Sequence, residues 1–177
     1  MASLNFTQNI GITMPHGQAG SYARQPDMIV NTFPAGGEAD IPFGAPLKLS
    51  SGKVVAMGAG DAANAFIGIA GREFKSALDY LNQGVGVYAP NEPVSVFQRG
   101  CINAVCQKGT PAYGTAVYLR VTANASYSTA AVGGLEAEAD GNNTVQLKGV
   151  MWAGAKDSNN IAELRLTTFP DTTVVNA

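Results

Sequence analysis

The chain has 177 residues, which is enough for one domain whose core needs neither disulfides nor a metal ion. Eleven basic and 13 acidic residues give a net charge of −2, and charged residues make up 14% of the chain, against about 25% in typical soluble domains. The basic residues are scattered singly, which argues against a nucleic-acid partner, and the low charge predicts that another protein covers part of the surface.

The N-terminal sequence carries no targeting signal. Residues 1–20 have neither the basic head nor the apolar run of a secretory signal. Nowhere does the chain approach the ~20 apolar residues of a membrane helix. We therefore expect a protein that is made in a cytoplasm and has no membrane partner.

Residues 1–44 differ from the rest of the chain and predict an extended N-terminal arm. Their apolar residues are spaced singly, neither the helical nor the strand period is sustained across the segment, and four prolines favour extended backbone. Fully stretched, 40 residues reach on the order of 130 Å, whereas a compact body of this chain length has a radius of gyration of ~16 Å. The arm is long enough to dock on a neighbouring molecule; the alternative is that it wraps its own domain.

Residues 45–177 predict a β-rich body of about eight short strands separated by turns rich in Gly, Pro and Asn. Residues 116–121 are typical, because Val117 and Leu119 alternate with Tyr118 and Arg120. Near the C-terminus, Ala162, Leu164 and Leu166 are predicted to face inward, which places Glu163 and Arg165 outward. The pattern favours a mainly β fold, either a single antiparallel β-sandwich or a small β-barrel.

Residues 74–84 interrupt this pattern and predict at most one short helix. Apolar residues at i, i+3, i+4 and i+7 form a two-turn stripe, and Gly84 is a typical C-terminal stop. The stripe consists of Phe74, Ala77, Leu78 and Leu81. The same segment could instead be a packed loop.

Residues 122–144 are rich in Ala, Ser, Thr, Gly and Asn and predict a long exposed excursion between two strands. Three acidic residues alternate within it: Glu136, Glu138 and Asp140. They could contact a calcium ion, but acidic residues in such a loop are more typical of a solvated edge. We therefore expect no metal site in the excursion.

The residues with catalytic potential are few and badly placed for chemistry. The single histidine, His16, lies in the predicted arm, where a general base would be poorly held. Cys101 and Cys106 lie in one predicted strand, so their Cα atoms would be ~16 Å apart on opposite faces, whereas a disulfide tolerates about 7 Å at most. We expect both to be reduced core residues, and the remaining ligands are too few for zinc. The sequence predicts no enzyme, no catalytic residue, no metal and no cofactor.

A series of short segments between residues 10 and 125 resembles one known protein family. The segments are Gly-Ser-Tyr-Ala-Arg at 20–24, Ile-Pro-Phe-Gly at 41–44, Gly-Arg-Glu-Phe-Lys at 71–75, Gly-Val-Gly-Val-Tyr at 84–88 and Pro-Asn-Glu-Pro-Val-Ser-Val at 90–96. Their order along the chain and their residue types are similar to those of the structural cement, or head decoration, proteins of tailed bacteriophages. The resemblance rests on this order, without one diagnostic motif.

The resemblance implies a virion protein on the exterior of an icosahedral capsid, synthesised in the host cytoplasm. Such a protein binds the major capsid protein, often as a homotrimer, and has no catalytic residues and no small-molecule substrate. In this chain the arm residues Tyr22, Phe33 and Phe43 would be the apolar anchors on the partner, because aromatic side chains carry much of the binding energy at interfaces. Arg24 would pair with an acidic groove on the shell.

Two alternatives to this function remain open at the level of the sequence. The chain could be another β-rich virion component, such as a tail, collar or fibre-associated protein. It could also be a carbohydrate-binding module. For the arm, the alternative is that its aromatic residues fold back onto their own domain, and for Phe43 the two interpretations have equal weight.

Overall fold

The computed structural model of the chain describes residues 15–73 and 86–167, without the side chains of residues 25 and 26. The helix predicted within 74–84 lies outside these residues, as do residues 1–14 of the predicted arm and the C-terminal residues 168–177. The described part of the chain contains eleven β-strands and three short 3-10 helices, at 63–65, 125–127 and 141–143. The mainly β fold predicted from the sequence is confirmed.

The strands follow the chain from β1 to β11. They are β1 (Tyr22–Pro34), β2 (Ile41–Pro42), β3 (Pro46–Ser50), β4 (Lys53–Ala56), β5 (Phe66–Ala70), β6 (Val87–Tyr88), β7 (Pro93–Lys108), β8 (Ala116–Arg120), β9 (Leu135–Glu136), β10 (Thr144–Trp152) and β11 (Ile161–Leu166). All pairings between these strands are antiparallel except that of β7 with β9, which is parallel.

The 16-residue strand β7 organises the fold, because both of its edges are paired along most of its length. Cys101 and Ile102 each pair with β1 and with β11, so these two strands lie on opposite edges of β7. Val96 and Phe97 likewise pair with both β1 and β5. The first half of β7 therefore lies between β1 and β5, and its second half lies between β9 and β11.

The second half of β7 belongs to a closed barrel of five strands. Hydrogen-bonded neighbours follow one another in the order β7, β11, β10, β8 and β9, and β9 pairs with β7 again. Closure leaves no open edge within these five strands. The barrel core consists of Phe97, Ile102, Ala104, Cys106, Leu119, Leu147, Trp152, Leu164 and further buried residues. Of the two predicted forms, the structure has the barrel. The sandwich and the count of eight strands are not confirmed.

A second, smaller core lies beside the barrel, between β1, the first half of β7, β5, β3 and β4. A parallel bridge between Ala35 and Val54 joins the end of β1 to β4. The buried residues of this core include Ile41, Phe43, Leu47, Tyr88 and Val94. Residues 15–44 of the predicted arm therefore pack on the chain's own body. Of the two alternatives for the arm, this part follows the one in which it wraps its own domain.

A bulge at Gly100 lets one strand serve both cores. Gly100 has φ +105°, and a Cβ placed there would collide with the backbone carbonyl of Asp27 in β1. The register of β1 on β7 shifts on both sides of this contact. Phe97 and Ile102 are an odd number of residues apart, yet both enter the barrel core. The positions of β7 that face the barrel core therefore change from odd-numbered before the bulge to even-numbered after it, as bulges in other sheets re-aim side chains.

Candidate interaction surface

Tyr22 begins β1 and lies on the edge of the barrel core. Its ring centroid is 5.6 Å from that of Phe97, while 39% of the residue stays exposed. Burial, and then the nearby Glu73 carboxylate, raise the pKa of the Tyr22 phenol above its usual value. The Tyr22 side chain is therefore neutral and amphipathic. Part of its ring already packs on its own domain, and the rest is exposed.

Arg24 lies two residues further on and pairs with an acidic residue of the same chain. Its Nε lies 2.7 Å from Oε1 of Glu163, and the side chains are 70% and 10% exposed, respectively. The outward alternation predicted for Glu163 holds, but Arg24 covers the carboxylate, so Glu163 is buried rather than solvated. The exposed guanidinium remains available to a partner, and removing it would leave a largely buried carboxylate unpaired.

The thiol beneath this ion pair has no nucleophilic character. Cys101 pairs with Arg24 in the register of β1 and β7. Burial, and then a hydrogen bond with Glu163, raise the pKa of the Cys101 thiol to about 11. Cys101 and Cys106 are both free and buried, as the spacing in the sequence predicted. A protonated thiol at neutral pH is a small core residue and not an activated nucleophile.

The two phenylalanines predicted as anchors differ in accessibility. Phe43 is 9% exposed, and its ring lies 5.0 Å from that of Tyr88 in an edge-on arrangement. The Arg72 guanidinium covers the Phe43 ring at 5.4 Å. Phe33 is half-buried against the same second core. The structure therefore places Phe43 among core residues, so the three predicted aromatic anchors are not equally exposed.

The acidic residues expected at a solvated edge form a buried ion network instead. Arg120 Nε lies 2.5 Å from Oε1 of Glu136, both side chains are fully buried, and a second contact joins Nη2 to Oε2 at 3.0 Å. Asp140 contacts Nη1 of Arg120 at 2.9 Å. Only Glu138 behaves as predicted, since its side chain is 58% exposed. The interpretation of Glu136 as a residue of a solvated edge was wrong, and Arg120, which alternates with the apolar residues of β8, is buried as well.

The network is buried because β9, in the middle of the predicted excursion, inserts between β7 and β8. Gln107 Nε2 donates to Glu136 Oε1 at 3.0 Å, and the indole N–H of Trp152 donates to the Glu136 carbonyl at 3.3 Å. A hydrogen bond from Asn124, and then one from Arg120, lower the pKa of Asp140. These carboxylates are occupied by donors from the chain itself, so the arrangement fixes β9 rather than presenting a reactive group.

His16 also has a structural position. Its backbone N–H donates to Asp157 Oδ2 at 2.9 Å, and its Nε2 lies 2.9 Å from the Ala155 carbonyl oxygen. Asn103 Nδ2 donates to the His16 carbonyl at 2.6 Å. Within residues 15–73 and 86–167, no group of three or more His, Cys, Asp or Glu residues could hold a metal ion. No helix in that part of the chain is long and apolar enough to cross a membrane.

The sequence analysis missed several exposed apolar side chains. Tyr113 is 72% exposed in the turn between β7 and β8, and Val105 on β7 is 43% exposed. A hydrogen bond with Glu163, and then the Glu163 charge, raise the pKa of Arg24 above its usual value. A tyrosine between Pro111 and Gly114 is a recognisable signal of a turn with an exposed aromatic. Arg24, Val105 and Tyr113 are called the Arg24 patch below.

Comparison with known families defines the class of protein: the model of the family described as structural cement protein (E217 gp24/Pam3 gp6) matches residues 6–167. The chain belongs to this phage structural cement protein family. The family expected from the short segments in the sequence is thereby confirmed.

The fold is shared with a protein of known structure. A chain from the solved capsid of Myoviridae phage XM1 superposes with a TM-score of 0.69 at 17% sequence identity, covering 94% of this chain and 99% of that one. A search of curated proteins gave no match. At this identity the likeness concerns the fold, and the family assignment rests on the family model.

Proposed function

We propose that this protein binds the outer surface of a phage capsid as a homotrimer and stabilises the shell by bridging neighbouring major capsid proteins. The observation that carries the proposal is membership in the structural cement family over residues 6–167. The fold shared with a chain of a solved phage capsid supports it. Structural family membership also favours a protein without enzymatic activity.

The Arg24 patch supplies a chemically suitable contact with the shell. Arginine and tyrosine are enriched among the residues that dominate binding energy at protein interfaces. The patch is exposed on the outer face of the barrel, and Tyr22 adds a half-exposed aromatic ring on the same strand as Arg24. Glu163 holds the Arg24 guanidinium in place, so less side-chain freedom is lost when a carboxylate on the shell binds it.

Adding purified protein to capsids of the parent phage assembled without it tests the proposal. We expect the protein to sediment with the heads, to form density on the outer surface in electron microscopy, and to raise the temperature at which heads open. Density on the tail or collar, or no binding to heads, would contradict the proposal. The first of these results would support the alternative of another virion component.

Paired arginine variants test the Arg24 patch in the same assay. Arg24→Ala should weaken head binding about tenfold, the loss of one interface hot spot. Arg99→Ala is the matched control, because Arg99 is also on this sheet, is also exposed and also forms one ion pair, with Asp27 at 2.9 Å. Equal losses in the two variants would show that the patch does not contact the shell.

The carbohydrate-binding alternative has less support in the structure. The single tryptophan, Trp152, is fully buried in the barrel core and offers no platform for a sugar, although Tyr113 is an exposed aromatic residue. Its indole N–H is already used by the Glu136 carbonyl. We therefore keep capsid stabilisation as the proposed function.

A further inference from the structure

The outer edge of β1 has the properties of a strand-binding edge. One edge of β1 pairs with β7. Among the residues that the structure describes, no backbone group hydrogen-bonds to the other edge between residues 22 and 34. Thirteen residues is long for an edge strand, since strands average about 5–6 residues.

The stretch from Met28 to Phe33 lacks charges and prolines, two of the usual protections of an edge, although the register of β1 shifts between Ile29 and Val30. Edge strands are normally blocked by lysines, inward charges or prolines, because open backbone groups recruit other strands. Residues 28–33 contain no charged residue and no proline. Met28 and Val30 are only partly buried, although both pack against the barrel core. A further strand beside β1 would complete the burial of these two side chains.

The chain itself contains a segment that matches this edge. In residues 3–14 the even positions are Leu4, Phe6, Gln8, Ile10, Ile12 and Met14, and the odd positions are Ser3, Asn5, Thr7, Asn9, Gly11 and Thr13. Apart from Gln8, this is the alternation of a strand with one apolar and one polar face, although it is not sustained over the whole of residues 1–44. The segment has no charged side chain, so its pairing with the uncharged part of β1 buries no unpaired charge.

The described residue next to this segment, His16, lies on the side of β7 opposite to the β1 edge of its own copy. His16 is held by Ala155 and Asp157, which precede β11, and β11 lies on the edge of β7 opposite to β1. Gly20 and Ser21 still lie along the β1 edge of β7, where the Gly20 N–H donates to the Asn103 carbonyl at 2.8 Å. The chain therefore changes sides of β7 between Gly20 and His16, and a 12-residue strand that precedes this point could span about 40 Å.

From these observations we propose that residues 3–14 of one copy of this chain add as a β-strand to the outer edge of β1 of a second copy. The apolar face of the added strand lies beside Met28 and Val30, and its polar face continues the row that carries Asn31. The contact is head-to-tail, so three repeats can close into a ring. The inference deepens the proposed function, on which it rests, by giving the homotrimer a specific contact.

Cross-linking between two cysteine variants of the full chain tests the proposal without capsids. Asn9→Cys and Asn31→Cys are prepared separately, mixed, and treated with a short bismaleimide. We expect covalent dimers in this mixture, and few when Ser50→Cys, exposed at the end of β3, replaces Asn31→Cys. Cys101 and Cys106 are buried, and the unmodified chain measures any background they give.

The double variant Asn9→Cys/Asn31→Cys separates the two possible directions of pairing. Cross-links confined to single chains, with none in the mixture, would show that the segment pairs with its own copy and would overturn the proposal. No cross-link in either sample would overturn it as well. Head binding that persists after either result would leave the capsid function intact, because the two assays are independent.

Matched substitutions on the two faces of the segment give a second readout. Ile12→Glu should shift the mass in solution toward the monomer by placing a charge on the apolar face. Thr13→Glu adds the same charge to the polar face and should keep the oligomer. Equal behaviour of the two variants would contradict the strand. The circular dichroism of each variant checks that the body remains folded.

Discussion

At the scale of single residues, the buried Arg120–Glu136 pair is the least expected feature. A charged pair taken out of water gains from its mutual attraction only when its geometry is good and its remaining donors and acceptors are satisfied. Here two contacts join the guanidinium to the carboxylate, while Gln107 and Asp140 occupy further atoms. The pair therefore specifies where β9 sits, since any other position of β9 would leave Arg120 buried without its partner.

Glu136→Ala should lower the free energy of unfolding by about 3–5 kcal/mol, because it leaves the Arg120 charge buried without its main partner. Denaturant unfolding measures the change. Glu138→Ala, two residues further on, is the control: its carboxylate is 58% exposed and 3.9 Å from Lys108, so its loss should cost less than about 1 kcal/mol. Similar losses in both variants would refute the role assigned to the buried pair.

At the scale of elements, the long strand β7 connects the two cores, and the bulge at Gly100 sets their relative orientation. Before the bulge, Val94 and Val96 enter the second core, while after it Ile102 and Ala104 enter the barrel core. β1 follows the bend by shifting its own register opposite the same glycine. One backbone position therefore controls the burial of side chains on both strands.

Gly100→Ala should destabilise the protein and loosen β1. A non-glycine residue at positive φ costs about 1–3 kcal/mol, and the added Cβ would also collide with the Asp27 carbonyl. Gly114→Ala is the matched control, since Gly114 has φ +84° but no atom within 4 Å of an added Cβ. We expect faster hydrogen exchange of β1 amides in the first variant alone; unchanged exchange there would argue against the close approach.

At the scale of the whole molecule, the predicted arm divides into two parts with different positions. Residues 22–34 form β1, and Ile41 and Phe43 belong to the second core, so this part helps to build the body. Residues 1–14 lie outside the described residues, and their action on a neighbour stays a prediction. The boundary at residue 44, which the composition predicts between an N-terminal arm and the β-rich body, also stays a prediction.

Two truncations separate these parts. Deleting residues 1–14 should keep cooperative unfolding of both cores, at a temperature lowered only by the lost contact between copies. Deleting residues 1–35 removes β1 and the Ala35 bridge, exposes Val94 and Val96, and should abolish cooperative unfolding of the second core. If residues 1–44 were a separable arm, as the sequence predicts, the body would remain folded after both deletions. Calorimetry distinguishes this hypothesis from the one in which β1 is part of the body.

The candidate surface was predictable only in part. Tyr22 and Arg24 are exposed as an interface requires, whereas Phe43 is covered by Arg72 and packs on Tyr88. Val105 and Tyr113 enter the candidate surface because of their exposure, which composition does not reveal. Whether these residues contact a partner stays a prediction, and the paired arginine variants test it.

The sequence by itself determined the mainly β class, the positions of most strands, the free and buried cysteines and the family. Alternation along a strand shows which residues share a face, because that property is local. The tertiary structure alone decided what covers each face. The position of β9 buries Glu136 against Arg120, and Arg24 covers Glu163. The pairing of β1 with β7, which makes β1 part of the body, was also visible only in the structure. Barrel closure and strand pairing bring together residues far apart in the chain, and a local pattern carries no information about such contacts.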